Sequence, residues 1–203
     1  MKLYDGGRAP NPRRTRIFLA EKGIAVETVP VDMAKLGHRS ETIAGLNPLR
    51  RLPVLDLEDG RTLTESVAIC RYFEEVQPEP PLFGRDAFER AKVEEWNRRL
   101  ELNLYGAVQA VFRHLHPSME GWEVPQVREW GEANRDRAGS FLALFDEHLS
   151  LNRFAAGEAF SIADITGLVS VDFMRPARLA MPEGLAHLKR WHAEVSARPS
   201  AAA

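Results

Sequence analysis

Asn47-Pro48-Leu49-Arg50-Arg51-Leu52-Pro53-Val54-Leu55-Asp56-Leu57-Glu58-Asp59-Gly60-Arg61-Thr62-Leu63-Thr64-Glu65-Ser66 carries three structural signals in succession. Two short segments, Val54-Leu55-Asp56-Leu57 and Arg61-Thr62-Leu63, flank Glu58-Asp59-Gly60, and an Asp-Gly turn between them reads as a β-hairpin. Pro53 stands directly before the first run. A proline there is allowed as a strand's first residue or on a sheet edge; a cis bond at the same place would fix a turn whose backbone faces a ligand. Thr64-Glu65-Ser66 then opens a helix over 65–76, with Val67, Ile69, Cys70 and Phe73 as its apolar positions. Its start has two readings. Thr64 caps and Glu65 suits the helix dipole, or the Ser66 hydroxyl and N–H receive a carboxylate while Glu65 holds an ammonium.

Upstream of this segment, 2–4 reads as a strand and 12–22 as a helix stopped by Gly23. Residues 25–31 read as a strand, and 39–46 as a short irregular helix. The order βαβα-ββα makes a small mixed sheet with helices on its faces. Downstream, Gln77-Pro78-Glu79-Pro80-Pro81 cannot continue a helix. Beyond it every pattern is helical: 86–114, 125–149, 161–175 and 183–197. On the second of these, Val127, Trp130, Ala138, Phe141, Leu142 and Phe145 lie on or near one stripe. The expected organisation is an α/β domain over 1–77, a linker over 78–85 and an all-α domain over 86–203, with a frayed tail at 201–203.

The composition sets limits. In 203 residues, 44% are AVILMFWYC and 28% are charged, the balance of an ordinary globular protein. A net charge of −2 disfavours a nucleic-acid binder driven by bulk positive charge. The one cysteine excludes an internal disulfide and a CxxC pair. The longest uncharged run has eleven residues, 102–112, far short of the roughly 20 that span a bilayer. No cleavable apolar leader is visible, so the expected compartment is the cytoplasm, with neither membrane nor nucleic acid as partner. No HExxH, carboxylate cluster or Cys/His spacing calls for a metal.

Ala9-Pro10-Asn11-Pro12-Arg13-Arg14-Thr15-Arg16 places a turn and a helix start after the first strand. Asn11 is a favoured N-cap and Pro12 fits the first helical position. Such a start offers backbone N–H groups to an anion, or is simply a well-started helix. Phe160-Ser161-Ile162-Ala163-Asp164-Ile165 reads as a capping box with a hydrophobic staple, a folding device rather than a catalytic aspartate.

Together these motifs, in order and spacing, resemble the cytosolic glutathione transferases over roughly residues 1–200: a thioredoxin-like N-terminal domain followed by an all-helical one. The likeness is nearest to bacterial and fungal members whose first helix lacks the usual catalytic side chain. It implies a glutathione site in which Pro53 is a cis-proline and the Leu52 backbone pairs with the cysteinyl part. Glu65 and Ser66 bind the γ-glutamyl end. His38 and Arg39, assisted by Arg51, lie near the glycine carboxylate. It also implies glutathione as co-substrate with no other cofactor, a homodimer, and an electrophile set against the first long helix of the helical domain. There Tyr105, Gln109 and Phe112 recur at helical spacing, and His114 and His116 end the pattern. His114 joins that pocket, where either histidine could help a water or the thiolate.

Where many members carry a catalytic serine or cysteine, this chain has Ala9, and Pro12 stands at the second redox position. Tyr4 belongs to the first strand, facing the core, and Cys70 reads as a small core residue. The expected chemistry is therefore activation of glutathione's own thiol. A thiol of pKa ~8.5 is only about 3% ionised at pH 7, and bringing it to ~6.5 requires ~2.7 kcal/mol. A helix N-terminus supplies ~0.3–1 kcal/mol, or ~2 when partly buried. One charge-assisted hydrogen bond adds roughly 1.5–3 kcal/mol. The sum suffices, with Asn11 as donor: its carbonyl caps the helix while its NH₂ faces sulfur. Conjugation to small, largely apolar electrophiles is the leading expectation. The alternatives are disulfide or peroxide reduction with two glutathiones, and a binding or interaction protein without turnover.

Overall fold

A computed structural model describes all residues from 1 to 203. By internal contacts they form two compact units, Met1–Pro81 with Pro199–Ala203, and Leu82–Arg198.

In the first unit, β1 (Lys2–Asp5), β2 (Glu27–Pro30), β3 (Val54–Asp56) and β4 (Thr62–Thr64) form one sheet in the order β2-β1-β3-β4. β1 runs parallel to β2, with Leu3 opposite Thr28, through the crossover helix α1 (Pro10–Lys22). β3 pairs antiparallel with β1 and with β4, Leu55 facing Leu3 on one side and Leu63 on the other. The mixed thioredoxin-like sheet and its terminal hairpin are as expected. In the turn, Asp56 Oδ1 accepts the Glu58 N–H at 2.8 Å and Asp59 Oδ1 the Arg61 N–H at 3.1 Å, and Gly60 takes φ 89°. These local bonds close the two strands on each other.

α2 (Glu41–Leu46) is shorter than the irregular helix expected over 39–46. Ser40 is extended and its hydroxyl accepts the Ile43 N–H at 3.3 Å, which separates α2 from a 3₁₀ turn at Gly37–Arg39. α3 (Ser66–Val76) buries Ser66, Ile69, Cys70 and Phe73, a three-and-four spacing that lays one face against α1. Tyr4, as expected, packs on the sheet core of Ile43, Leu52 and Val54.

α1 ends at Gly23, whose φ of 64° suits a residue without Cβ. The side chain of Lys22 is fully buried there. It stands 2.5 Å from the Glu74 carboxylate and donates to the carbonyls of Gln77, Pro78 and Pro80 at 2.8, 3.0 and 2.6 Å. The proline-rich segment is therefore fastened to α1. Removing one partner of such a buried pair costs about 3–5 kcal/mol. The C-terminal residues are fastened too. Arg13 Nη2 donates to the Ala201 carbonyl at 3.0 Å and the Ser200 hydroxyl to Glu21, so the expected fraying at 201–203 is corrected. Two polar side chains of α1 hold a 3₁₀ turn, Pro199–Ala202, that has no apolar signal of its own.

The second unit is helical: α4 (Ala87–Arg99), α5 (Gly106–Leu115), α6 (Arg128–Leu151), α7 (Ile162–Met174) and α8 (Ala186–Ser196). The single helix expected over 86–114 is interrupted by a π-helical turn at Leu100–Tyr105, where the Gly106 N–H bonds to Glu101 O five residues back. On α6 the buried stripe runs through Ala138, Phe141, Leu142, Phe145 and Leu149. Val127 and Trp130 were expected on it and are exposed instead. Val127 is the extended residue before the helix, and the Trp130 ring lies beside the Arg137 guanidinium.

α7 is buried almost throughout and forms the centre of this unit. A Cβ on Gly167 would come within 2.8 Å of the Trp191 ring, so only glycine allows that approach. The capping box is present, with Asp164 accepting the Ser161 N–H at 3.0 Å. Asp164 also accepts from the Ala155 N–H and from Trp191 Nε1, each at 2.8 Å. Burial pushes its carboxyl up to about 6 against the pull of these donors.

Candidate active site

The start of α1 differs from expectation. Ala9, extended at φ −65° and ψ 141°, is the N-cap, and Pro10, Asn11 and Pro12 are the first three helical residues. A proline needs no N–H in the first turn and restrains the residue before it to extended backbone, so the helix begins two residues early. Asn11 consequently makes no cap. Its Oδ1 accepts from Arg14 Nη1 at 3.2 Å, the i,i+3 neighbour on the helix surface. Because Pro10 and Pro12 have no N–H, the backbone donors at this helix start are those of Ala9 and Asn11. No acidic residue lies in the first turn.

α3 opens on Glu65, which is its N-cap at φ 67° and ψ 117° with no side-chain capping bond; Thr64 is not the cap. A non-glycine residue in that region stores about 1–3 kcal/mol. Ser66 follows, 4% exposed, and its Oγ accepts from Arg14 Nη1 at 2.8 Å. One guanidinium therefore bridges the two helix starts. The peptide bond between Leu52 and Pro53 is cis, and both residues are buried beside β3.

His38 lies buried in the 3₁₀ turn before α2, while Arg39 and Arg51 are exposed. Burial pushes the His38 imidazole below its ordinary pKa, and the Arg39 charge pushes it further, so the ring is neutral at pH 7. Cys70 is fully buried and its thiol is pushed up to about 12, chiefly by desolvation.

In the helical unit, Gln109 Nε2 donates to the Tyr105 hydroxyl at 3.2 Å. Phe173 on α7 packs against both Tyr105 and Phe112, with ring centroids 6.3 and 5.1 Å apart. Tyr105, Gln109 and Phe112 thus cluster together, with Tyr105 buried. His114 is engaged elsewhere: its Nδ1 accepts the Val127 N–H at 3.0 Å, ahead of α6. His116 caps the following 3₁₀ turn through the Ser118 N–H at 3.2 Å. No group of three or more His, Cys, Asp or Glu is arranged to hold a metal, and no helix is long and apolar enough to cross a membrane.

Sequence reasoning missed Arg14. The signal was present: Arg14, Ile17 and Phe18 share the i, i+3, i+4 spacing of one buried face. A charge at such a position calls for polar partners.

The fold is that of a thioredoxin-like domain followed by a helical domain. Comparison with known proteins agrees. The glutathione S-transferase N-terminal domain family matches residues 9–76, and the corresponding C-terminal domain family matches 126–199. Glutathione S-transferase 2 of Saccharomyces cerevisiae is 34% identical over 98% of this chain and 87% of its own. A crystal structure of a glutathione S-transferase domain-containing protein from Marinobacter aquaeolei superposes with a TM-score of 0.91 at 40% identity, covering 98% of this chain and 99% of that one. The structure of Gtt2 from Saccharomyces cerevisiae gives a TM-score of 0.93 at 33% identity over 98% of each chain. The chain belongs to the glutathione S-transferase family.

Proposed function

We propose that this transferase binds glutathione on its first unit and lowers the pKa of the tripeptide's thiol for attack on small, largely apolar electrophiles. The observation that carries this reading is the state of Asn11: its carbonyl is occupied by Arg14, and the NH₂ end belongs to a helix start with no hydroxyl or thiol. The thiol gives its proton to solvent. The resulting thiolate accepts from Asn11 Nδ2–H and from the backbone donors of the first turn, and its lone pair forms the new C–S bond while the electrophile's leaving group, halide for a nitroaryl halide, departs to solvent with the electrons of the broken bond. In this reading the Ser66 hydroxyl and Glu65 receive the γ-glutamyl carboxylate and ammonium. The Leu52 backbone, ahead of Pro53, pairs with the cysteinyl unit. Arg39 and Arg51, with neutral His38 as a donor, face the glycine carboxylate. Tyr105, Gln109 and Phe112 lie against the electrophile, and His114, held by the Val127 N–H, takes no part. A homodimer and a cytoplasmic setting belong to the same proposal.

A Cys70 thiol near 12 supports a mechanism that uses glutathione's sulfur alone. That also suits the second reading, reduction of mixed disulfides by two glutathiones. Retention on immobilised glutathione with elution by free glutathione, followed by conjugation of a nitroaryl halide, is the expected outcome. Reduction of a bis-glutathionyl disulfide without conjugation would favour the second reading. Absence of retention would overturn both.

A further inference from the structure

We infer that Arg14 is a positioning residue that sets the hydrogen-bond polarity of both ends of the glutathione site, holding the Asn11 amide with its NH₂ outward and steering the Ser66 hydroxyl proton away from the guanidinium toward what lies before α3. This rests on the glutathione-binding reading above. Arg14 is 1% exposed, and its Nη1 is 2.8 Å from Ser66 Oγ and 3.2 Å from Asn11 Oδ1. A guanidinium has N–H donors and no acceptor, and it does not lose its proton in proteins. Both oxygens are therefore acceptors in these contacts.

The consequence differs for the two side chains. Ser66 has one hydroxyl proton. With a lone pair committed to Arg14, that proton turns away from the guanidinium and is presented at the start of α3. Asn11 has a carbonyl end and an NH₂ end. Turning the amide over would set NH₂ against N–H, two donors face to face, so the carbonyl stays on Arg14 and Nδ2 stays on the other side. One buried cation thereby fixes the Asn11 amide as a donor and steers the Ser66 proton toward an incoming anion, while the second lone pair of Ser66 stays uncommitted. It favours carboxylate over carboxylic acid at Ser66 and thiolate over thiol at Asn11, and its charge acts in the same sense at both.

The test combines affinity, bound-thiol pKa and a mutant cycle. Arg14→Met, close in length and without donors, is compared with wild type by calorimetric titration with glutathione and by ultraviolet titration of the bound thiol. The expected result is a loss of affinity of about tenfold, the scale of one charge-assisted bond, together with a rise in the bound-thiol pKa of at least about half a unit. In an Asn11→Ala, Ser66→Ala background the same replacement should cost at least about threefold less affinity than in wild type, because the two orienting bonds are gone and only the charge remains. Equal losses in the two backgrounds, or an unmoved thiol pKa, would overturn the inference.

If Arg14→Met does not fold, Arg14→Lys serves. It keeps the charge, lacks the fork that reaches both oxygens, and should show the same coupling at a smaller amplitude. Failure of both variants to fold would assign Arg14 to the fold alone and also overturn the inference. Wild-type chain that does not bind glutathione would remove the transferase reading and this inference with it. Wild-type binding matched by the Arg14 variants would remove this inference only.

Discussion

Asn11 and Cys70 divide the question of which sulfur does the chemistry. Cys70 is 0% exposed, and although the Arg14 charge and the Thr15 hydroxyl pull its thiol down, burial outweighs them and holds it near 12. At neutral pH it is neither nucleophile nor redox partner. Cys70→Ala should keep the conjugation rate within about twofold while losing about 1 kcal/mol of stability to the small cavity. Iodoacetamide should label Cys70 only after unfolding; stoichiometric labelling of the native chain would contradict its assignment to the core. Asn11 shows how far residue type alone reaches. Its identity, next to Ala9 and Pro12, made it the expected donor. Its neighbour Arg14 decides what its carbonyl does, and that needs the third dimension: Ser66 lies 52 residues away in the chain.

Among the elements, strands and caps were the legible parts, because their signals are local. The Asp59-Gly60 hairpin, the Ser161–Asp164 box and the Gly23 stop each depend on a few neighbouring residues. The π-helical turn at Leu100–Tyr105 was not legible: its apolar spacing continues smoothly, and the shift of one hydrogen bond leaves no mark in composition. The exposure of Trp130 was hidden likewise, since amphipathic periodicity does not say where along α6 the neighbouring helices end.

A pH prediction also belongs to this scale. His148 on α6 stacks on Trp96 of α4 with ring centroids 3.8 Å apart, and its Nε2 donates to the Ala155 carbonyl at 2.9 Å. Burial holds its pKa below the ordinary 6.5. Lys92 and Arg99 push the same way, while the Ala155 bond and Glu95 oppose. The unfolded chain therefore binds the proton more readily than the folded one. The stability His148 contributes is complete above about 6.5 and falls as pH drops below it. Asp164, raised to about 6, works in the opposite sense, so the informative quantity is a difference between variants. Thermal melts from pH 8 to pH 5 should show wild type losing stability relative to His148→Gln below pH 6.5; parallel curves would contradict the neutral, buried His148.

For the whole molecule, the division of labour follows the two units. The first holds every residue assigned to glutathione, and its α1 is secured at the far end by Lys22 and along its length by the C-terminal turn through Arg13 and Glu21. In the helical unit Tyr105, which is buried, and Phe112 pack on Phe173. The sequence motifs marked out both the α/β and the helical unit. They were silent on the return of residues 199–203 to α1, which rests on side-chain bonds across almost the full chain length. The proposed function turns on a thiol made anionic at the start of α1. Ultraviolet titration of glutathione bound to wild type and to Asn11→Ala measures that directly. Wild type should titrate near ~6.5 and the variant about one unit or more higher, equivalent to ~1.4 kcal/mol, with affinity changing less. An unchanged pKa would contradict the Asn11 role and turn attention to Tyr105.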